Sequence, residues 1–405
     1  MSAMLPEPPV EKADIDRFPV FGTAAFLFAI AVMPGAVSPG MVGAAADSFQ
    51  LPESRLGIFI AMYFAGFGLV GASAYVWIRE VNWRWVCAVG IGLMGLSFIA
   101  LALTENYTAM LMLMFLNGCG AAMFGSPSIT VLGDISRPEQ GFSTMIIFSV
   151  VGAAILLALF PFVTQLAGFA GVVYVMAGTT LACLLLIPWM PVNSRKRHDS
   201  PQQEATSDTV TRRVDKSHVT QPLSAHVVMV LFTMGFIGMW AFYERVAHYA
   251  ELSDTATGNA LAIGTLFGTI GAPLAAFLRR RIPMYYCYAF SILCIVLTLL
   301  MLDLISLTNW IYLLLACSFQ FWINAGFCLI MALIAEVDKV GRYVAMIPAS
   351  ESLGSFVGPI VTGIALELSG VTAMVIATVA AFVIGAGIFA YVDRKDRARA
   401  RIVAD

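Results

Sequence analysis

Apolar residues dominate the chain in long runs that short polar segments separate. Each run has about the 20 residues that an α-helix needs to cross the hydrocarbon core of a bilayer. The pattern therefore predicts twelve transmembrane helices. We place them near residues 20–46, 56–78, 85–104, 108–132, 141–165, 169–190, 225–248, 257–278, 284–304, 309–335, 342–367 and 371–392.

A polar, charged and proline-bearing segment at 191–223 separates these runs into two sets of six. Its composition is typical of a flexible linker, with or without a short surface helix. We therefore predict an all-α polytopic membrane protein with two pseudo-symmetric six-helix bundles. An N-terminal tail, the first bundle, the linker, the second bundle and a C-terminal tail are expected at 1–17, 18–190, 191–223, 224–393 and 394–405.

Composition agrees with a membrane protein. Of the 405 residues, 60% are hydrophobic and 12% are charged, whereas about 25% of a soluble domain is charged. No basic start followed by a short apolar core precedes the first run, so no signal peptide is predicted. The seven cysteines all fall inside apolar runs without a CxxC pair. This placement favours reduced, packed thiols over disulfides or a metal site.

The distribution of basic residues predicts the orientation. With the N-terminus in the cytoplasm, 21 of the 23 Lys and Arg residues fall in cytoplasmic tails and loops, and only Arg55 and Arg245 fall outside. Because basic loops stay in the cytoplasm, both termini are predicted there. An odd number of spans would break this alternation, so the charges also support twelve. Short loops and compact size indicate, by analogy, a bacterial inner-membrane protein.

An internal repeat relates the two halves. The string LPESRLG at 51–57 follows the first span, and LSDTATG at 252–258 follows the seventh, at an offset of 201 residues. Both strings fit a helix start, since a polar or proline residue comes first and acidic residues occupy the first turn. The eleventh span contains GSFVGPIVTG at 354–363, where small residues surround a proline.

With this layout, the two repeat junctions and the GxxxGPxxxG-like string, the chain resembles the major facilitator superfamily over residues 18–393. The resemblance implies secondary active transport, in which two bundles expose a central site to each side in turn. Gly354, Gly358, Pro359 and Gly363 would either form a gate at a bent helix or simply pack helices together. The family's loop pattern G-x-L-x-D-R-x-G-R-R is degraded at 75–84 and 277–283, so no subfamily is assigned.

Glu351 is the one ionisable residue that the predicted spans place near the midplane, about 14 Å into span 11. A charged group at that depth costs on the order of 2.5–3.5 kcal/mol. Because a buried carboxyl can take up and release a proton, Glu351 is the predicted proton-coupling residue. The alternative is a neutral Glu351 that is hydrogen-bonded within the bundle, to a neighbour such as Ser350, Ser352 or Ser355.

Charged residues near the span ends are candidates for gates. At the outer mouth, Asp47 is the expected partner of Arg245, whereas the adjacent Glu244 points about 100° away from it. An interfacial position with snorkelling side chains explains the outer residues equally well. At the cytoplasmic mouth, the candidates are Asp134, Arg137, Asp338 and Arg342.

Polar and aromatic residues predicted at mid-depth are candidates for the solute cavity. Because such groups are costly against lipid, they face either the cavity or another helix. The set comprises Ser38, Asn117, Ser126, Gln320, Trp322 and Asn324. No Lys or Arg is predicted at mid-depth, so the cavity favours neutral, amphipathic or cationic solutes over anions. An anion would have Arg245 as its contact at the outer mouth.

These features predict a proton-coupled secondary transporter of a small organic solute, present as a monomer in the lipid bilayer. The four histidines lie in the linker or at helix ends, and the chain has no HExxH, paired-carboxylate or nucleophile motif. We therefore expect no enzymatic activity, cofactor, metal or nucleic-acid partner. Two alternatives stay open: a receptor or scaffold with a transporter fold, and a proton-independent facilitator.

Overall fold

The computed structural model describes residues 15–192, 217–338, 343 and 346–404. Within these ranges the chain forms α-helices and a short 3₁₀ helix, and no strand occurs among the described residues. Most of the predicted linker and Arg342 lie outside the described part of the chain. The all-helical fold class that the sequence predicts is confirmed.

Two bundles follow one another along the chain. The helices of the first bundle are α1 (Phe18–Ala36), α2 (Ser38–Phe49), α3 (Glu53–Trp77), α4 (Trp83–Ala102), α5 (Tyr107–Asp134) and α6 (Pro138–Ala182), which continues as the 3₁₀ helix Cys183–Trp189. The helices of the second bundle are α7 (Ser217–Ala241), α8 (Tyr243–Tyr249), α9 (Asp254–Gly268), α10 (Gly271–Arg279), α11 (Met284–Leu304), α12 (Asn309–Val337) and α13 (Ile347–Ala404).

Capping residues set the starts of several helices. A side-chain oxygen accepts a hydrogen bond from a backbone N–H of the first turn at Asn82, Asn106, Ser253 and Thr308. These bonds satisfy N–H groups that have no partner inside a helix. At α6 the first residue is Pro138, which lacks the N–H that would otherwise be unpaired.

Ten helices in the described ranges are long and apolar enough to cross a membrane. Two of these segments, Pro138–Trp189 with 52 residues and Ile347–Lys395 with 49, have at least twice the length that one crossing needs. Each is interrupted by a glycine with positive φ, namely Gly168 at 57° and Gly370 at 75°. Such a backbone conformation is open to glycine because glycine lacks a Cβ.

Contacts at the two ends of α6 show that it crosses twice. It begins at the end of the bundle where α4 also begins, since α5 runs antiparallel to α4. Beyond the 3₁₀ helix, the Met190 carbonyl accepts a bond from Arg84 Nε at 2.6 Å. The Val192 carbonyl accepts one from Trp83 N at 2.8 Å. Both donors lie at the start of α4, so the chain turns back near Gly168.

The same reasoning applies to α13. Before its kink, Glu367 accepts a hydrogen bond from Ser54 N, at the start of α3. After the kink, the Arg394 guanidinium lies 5.9 Å from the centre of the Tyr285 ring, near the start of α11 and thus at the opposite end of the molecule. The chain therefore reverses near Gly370, so the ten membrane-length helices of the described ranges contain twelve segments long enough for one crossing each.

The internal repeat is visible in the backbone. Gln50 and Glu251, 201 positions apart, both have positive φ, at 48° and 56°. The helices that follow begin at Glu53 and Asp254, with the same offset. We call the end of the molecule formed by residues 50–53 and 251–254 the closed end. The opposite end, where residues 78–82, 135–137 and 280–283 connect helices, is the linker end.

Three of the predicted spans are each divided between two α-helices. The first is divided between α1 and α2 at Val37, because Pro39 cannot donate to the preceding turn. The seventh is divided between α7 and α8 at Phe242, and the eighth between α9 and α10, where Pro273 lies in the first turn of α10. The breaks leave backbone groups free for contacts described below.

Candidate functional site between the two bundles

A charged cluster joins the bundles at the closed end. Arg245 in α8 is only 8% exposed. Its Nη1 lies 3.2 Å from Asp47 Oδ1 near the end of α2, and its Nε lies 3.5 Å from Glu53 Oε1 at the start of α3. The Tyr249 hydroxyl donates to the same Glu53 oxygen at 2.5 Å. One buried cation of the second bundle therefore faces two carboxylates of the first.

The sequence anticipated part of this cluster. The contact between Arg245 and Asp47 is present, as the sequence led us to expect. Glu53 was not among the gate residues that the sequence predicted, yet it is 9% exposed and contacts Arg245. The available signal was its place in the repeat junction. Because an acidic residue is favoured in the first turn of any helix, this position did not reveal that Glu53 faces the other bundle.

Glu244 lies beside this cluster without joining it. Its carboxyl group packs directly over Gly43 of α2, which leaves no room for a Cβ at that position. The Oε2 atom is buried and has no hydrogen-bond partner among the described residues. It borders a small cavity of about 50 Å³ between α2, α6, α8 and α9, which Asp47 and Asp254 also line. An acid of the second bundle is thus held against the first.

Two aromatic side chains occupy the helix breaks. Trp240 Nε1 donates to the Ala36 carbonyl at 2.9 Å, across the bundle interface and next to the break between α1 and α2. The Tyr312 hydroxyl donates to the Tyr243 carbonyl at 2.9 Å, at the break between α7 and α8. The Trp240 bond satisfies the Ala36 carbonyl at the end of α1. The break between α1 and α2 therefore contributes to the interface.

The GxxxGPxxxG-like string divides its contacts between the bundles. Gly354 and Gly358 pack against α7, and a Cβ on Gly358 would lie only 2.9 Å from Gly238 N. Pro359 and Gly363 pack against α3 instead: a Cβ on Gly363 would lie 2.6 Å from the Glu53 carbonyl oxygen. One half of the string thus holds α13 in its own bundle, and the other half forms the seam with the first bundle.

Among the described residues, hydrogen bonds between the two bundles lie at the closed end and, in one case, deeper, at the break between α1 and α2. They are the Arg245–Asp47 and Tyr249–Glu53 bonds, the Trp240–Ala36 bond and the bond from Ser54 N to Glu367 Oε2 at 3.0 Å. All of them join elements next to residues 36–54. The structure therefore represents a state that is sealed at this end.

Glu351 lies closer to the start of its helix than the sequence predicted. The described helix begins at Ile347 rather than near 342, so Glu351 is about 6 Å from its start and about 24 Å from Glu367 at the closed end. The described helix start therefore differs from the predicted start of this span, and the midplane depth of Glu351 stays a prediction. Pro348 in the first turn was the missed signal, because proline favours the start of a helix.

The Glu351 side chain faces the space between the bundles. On the same helix, Gly354 contacts α7 and Ser352 contacts Gly68 of α3. The lipid-facing Leu353 is 53% exposed and lies about 200° around the helix from Glu351. Glu351 is itself exposed, between the two contact faces. The Glu351 side chain is therefore not covered by these neighbours and points toward the space between the bundles.

Ser350 is engaged elsewhere. Its Oγ lies 2.8 Å from His226 Nδ1, and His226 Nε2 lies 2.9 Å from the Tyr343 carbonyl oxygen. A carbonyl can only accept, so Nε2 carries the hydrogen atom in this contact. Tyr343 N in turn donates to Asp338 at 2.7 Å. Asp338, a predicted gate residue, thus connects elements within the second bundle.

The other predicted residues of the cytoplasmic gate lie in the first bundle or outside the described ranges. Asp134 ends α5 and Arg137 immediately precedes α6, so both border the same connection. Arg342 is not among the described residues. A linker-end gate formed by these residues stays a prediction.

The amide residues predicted for the solute cavity lie at contacts between helices. Asn117 Nδ2 donates to the Met94 carbonyl of α4 at 3.2 Å. Asn324 Nδ2 donates to the Gln320 carbonyl at 2.8 Å, and both residues pack against Gly268 of α9. These contacts favour the helix-packing interpretation that the sequence left open.

The remaining candidates are dispersed. The Trp322 ring packs edge-on against Phe290, whose side chain is 54% exposed on the outer surface. Ser38 is fully buried at the start of α2, and Ser126 is half-buried on α5. The structure does not gather the six predicted residues into one cluster, and the groups that it does bring together are those at the closed end.

A family model for the Major Facilitator Superfamily matches residues 20–337, well over half of the chain. The chain belongs to this superfamily. The family expected from the sequence is thereby confirmed. The match begins inside α1 and ends at the last residue of α12. No significant match was found among curated proteins.

Solved structures of superfamily transporters share the fold. A nucleoside transporter, NupG, superposes with a TM-score of 0.65 at 13% identity, covering 94% of this chain and 98% of that one. A bacterial homologue of the human lysosomal transporter Spinster, solved inward-facing and unoccupied, has a TM-score of 0.71 at 14% identity and covers 93% and 97%. A bacterial homologue of the human peptide transporters PepT1 and PepT2 has a TM-score of 0.70 at 12% identity and covers 97% and 100%.

These similarities extend through the whole superfamily fold, including α13, which lies beyond the family match. At such identities they show the fold alone. The features that the fold does not supply are the Arg245 cluster, the buried Glu244 carboxyl group and the accessible Glu351.

Proposed function

We propose that this superfamily member is a secondary active transporter that moves a small organic solute by alternating access and couples the movement to protons. The observation that supports the proposal most strongly is the difference between the two ends. Charged and backbone contacts join the bundles at the closed end, while Glu351, nearer the linker end, is exposed. An alternating-access carrier has to adopt such a state.

The Arg245 cluster would act as the gate of the closed end. For that end to open, Arg245 has to leave Asp47 and Glu53, and the seam between α3 and α13 has to separate. A buried cation without its partners is strongly disfavoured, so an opened gate requires water or a solute group to replace them. The opening of the gate therefore depends on whether water or a solute group is present at the interface between the bundles.

Glu351 is the proposed proton-coupling residue. An ionised carboxylate is stable where water reaches it and unfavourable where the bundles close around it. The open linker end can therefore hold Glu351 ionised, whereas closing that end favours the protonated acid. Protonation and closure of the linker end are thereby linked, which is the requirement for coupled transport.

Glu244 is a second candidate for the coupled proton. Its unpaired Oε2 atom and its position over Gly43 connect the protonation state of the second bundle directly to the surface of the first. An ionised, buried carboxylate without a hydrogen bond is costly, so the closed end favours the neutral form. In the flux experiment below, Glu244→Gln tests this residue separately from Glu351→Gln.

The proposed solute is neutral, amphipathic or cationic. Glu351 brings a negative charge to the space between the bundles, and a carboxylate solute would have to be desolvated there against it. The fold neighbours include nucleoside and peptide transporters, so nucleosides and small peptides are the first compounds to screen. Arg245 at the closed end is the proposed contact for an anionic group.

The proposed location is a bacterial inner membrane, with the protein as a monomer and both termini in the cytoplasm. The support is the concentration of Lys and Arg on the predicted cytoplasmic side. The closed end would then face outward. The boundaries 1–17, 18–190, 191–223, 224–393 and 394–405 stay the proposed divisions of the chain.

Proteoliposomes containing a pH-sensitive dye test the proposal. When a transported compound is added, the wild-type protein should move protons with the solute, and Glu351→Gln should abolish that movement while the protein remains folded. Glu105→Gln is the matched control, because Glu105 is exposed in the α4–α5 connection. Solute flux without proton movement would identify a facilitator, and binding without flux a receptor; either result overturns coupled transport.

A further inference from the structure

A basic groove opens at the linker end of the second bundle, far from the Arg245 cluster. It has a volume of about 450 Å³ and lies where the end of α10, the start of α11, the end of α12 and the C-terminal part of α13 meet. The consecutive residues Arg279, Arg280 and Arg281 line one side, and Glu336 and Asp393 line the other. The proposed transport mechanism uses none of these residues.

The groove has an excess of positive charge that its own carboxylates do not neutralise. Glu336 forms an ion pair with Arg279. Asp393 is buried and already has a polar partner. Arg280 is exposed, and neither Arg280 nor Arg281 makes an ion pair with a described residue. The Arg281 guanidinium lies over the face of the Phe277 ring, at 5.4 Å. Two guanidinium groups are therefore available for an anion.

The surroundings of the groove suit an anion that carries acyl chains. Ile282 lines the groove, and Phe277, Tyr286 and Phe290 lie on the adjoining helices α10 and α11; the four side chains are between 40% and 62% exposed. The three aromatic side chains belong to helices that face lipid, whereas the arginines lie at or just beyond the end of α10, at the depth of lipid headgroups. A freely diffusing anion would not require this apolar border.

We propose that the groove binds the phosphate group of an anionic phospholipid, with Arg280 and Arg281 as its ligands. Guanidinium groups donate paired hydrogen bonds to phosphate oxygens, which favours arginine at such a site. A bound headgroup would link the ends of four helices of the second bundle. Inorganic phosphate shares the same chemistry, and the experiment distinguishes the two sources.

Thermal unfolding in nanodiscs measures the binding. The full-length protein is compared in phosphatidylcholine alone, in phosphatidylcholine with phosphatidylglycerol, and in phosphatidylcholine with millimolar inorganic phosphate. Phosphatidylglycerol should raise the Tm by on the order of 5 °C, as expected for a ligand well above its Kd. Inorganic phosphate should produce little of this rise. High salt should remove it, because exposed charges are screened.

The variant Arg280→Gln/Arg281→Gln should lose most of the rise, and Arg280→Lys/Arg281→Lys should keep part of it. Arg55→Gln, at the closed end, is the control and should keep all of it. Native mass spectrometry of the wild type and the lysine variant counts retained phosphatidylglycerol directly, even if the glutamine variant does not fold.

An equal rise in the glutamine variant and the wild type would overturn the proposal, as would an equal Tm with and without phosphatidylglycerol. A full rise with inorganic phosphate that depends on both arginines would overturn the lipid as the source of the phosphate.

Discussion

Arg245 shows how one residue can hold two bundles together. It is nearly buried, yet it faces carboxylates from two different elements of the opposite bundle. Removing one partner of a buried pair destabilises by about 3–5 kcal/mol, because a buried charge remains. Here the second carboxylate retains part of that interaction. The cluster is therefore suited to loosening in steps.

Replacing Glu53 by Gln should weaken the closed end without unfolding the protein. The loss of a charged hydrogen-bond partner is worth about 1.5–3 kcal/mol, which would raise the share of molecules open at that end roughly 10- to 150-fold. A cysteine introduced by Ala44→Cys, a position that is 3% exposed beside Glu244, reports this opening. Its reaction rate with a membrane-impermeant thiol reagent should rise by a similar factor.

Glu105→Gln with the same cysteine is the matched control, and the chain without Ala44→Cys gives the background from the seven free native cysteines. An unchanged reaction rate in Glu53→Gln would show that the cluster does not hold the closed end together.

At the residue scale, the sequence identified candidate charged residues more reliably than it predicted their positions and neighbours. The partners Asp47 and Arg245 followed from their matching positions at the ends of two spans. Glu53 was missed because its neighbour comes from the other half of the chain. The start of the helix that carries Glu351 was placed too early because hydropathy extended the span beyond the point where Pro348 begins the described helix.

At the scale of elements, the seam between α3 and α13 depends on small residues. Gly57 of α3 meets the backbone of Pro359 so closely that a Cβ has no room. Its helix also contains Gly71, where a Cβ would meet nothing within 4 Å. Alanine substitutions at the two positions therefore share the change in helix propensity, but only the one at Gly57 meets close packing.

Gly57→Ala should push α3 away from α13 and disfavour the closed end, whereas Gly71→Ala should leave it intact. The neighbour at Gly57 is backbone, which cannot move aside as a flexible side chain can. Opening is measured with the Ala44→Cys reporter. Equal thiol reaction rates in the two alanine variants would contradict the close approach seen in the structure.

The reversal in the middle of α13 depends on a different property of glycine. A Cβ on Gly370 would meet nothing within 4 Å, but φ is 75°. Gly370→Ala should therefore lower the free energy of unfolding by about 1–3 kcal/mol through backbone strain alone. Gly387→Ala, also with open space but inside a helix, should have no effect or stabilise slightly. Equal stability of both variants in denaturant titrations would contradict the reversal.

Hydropathy predicted the number of crossings but not their internal breaks. Apolar runs continue through Val37 and Phe242, so a window of twenty residues cannot detect the interruptions there. The proline at 39 was a usable signal for the first break. The second has no proline and depends on contacts such as Tyr312 with the Tyr243 carbonyl, which only the tertiary structure provides.

For the whole molecule, the sequence predicted the family, the helical class and the repeat. It did not predict which end is closed, because that depends on contacts between residues about 200 positions apart. Two conformations of such a carrier use the same helices and the same hydrophobic pattern. Sequence patterns therefore describe what the two states share, and the structure adds the state itself.

Reciprocal motion of the two ends is the central claim, and electron spin resonance distances test it most directly. Labels at Glu105→Cys and Ser306→Cys report the closed end, and labels at Glu80→Cys and Ile282→Cys report the linker end; all four positions are exposed connections.

Acidification should protonate Glu351, because a neutral Glu351 permits the linker end to close. The distance between the closed-end labels should then lengthen, and the distance between the linker-end labels should shorten. Glu351→Gln should remove this pH response. Distances that change together, or a wild type that does not respond to pH, would contradict the account.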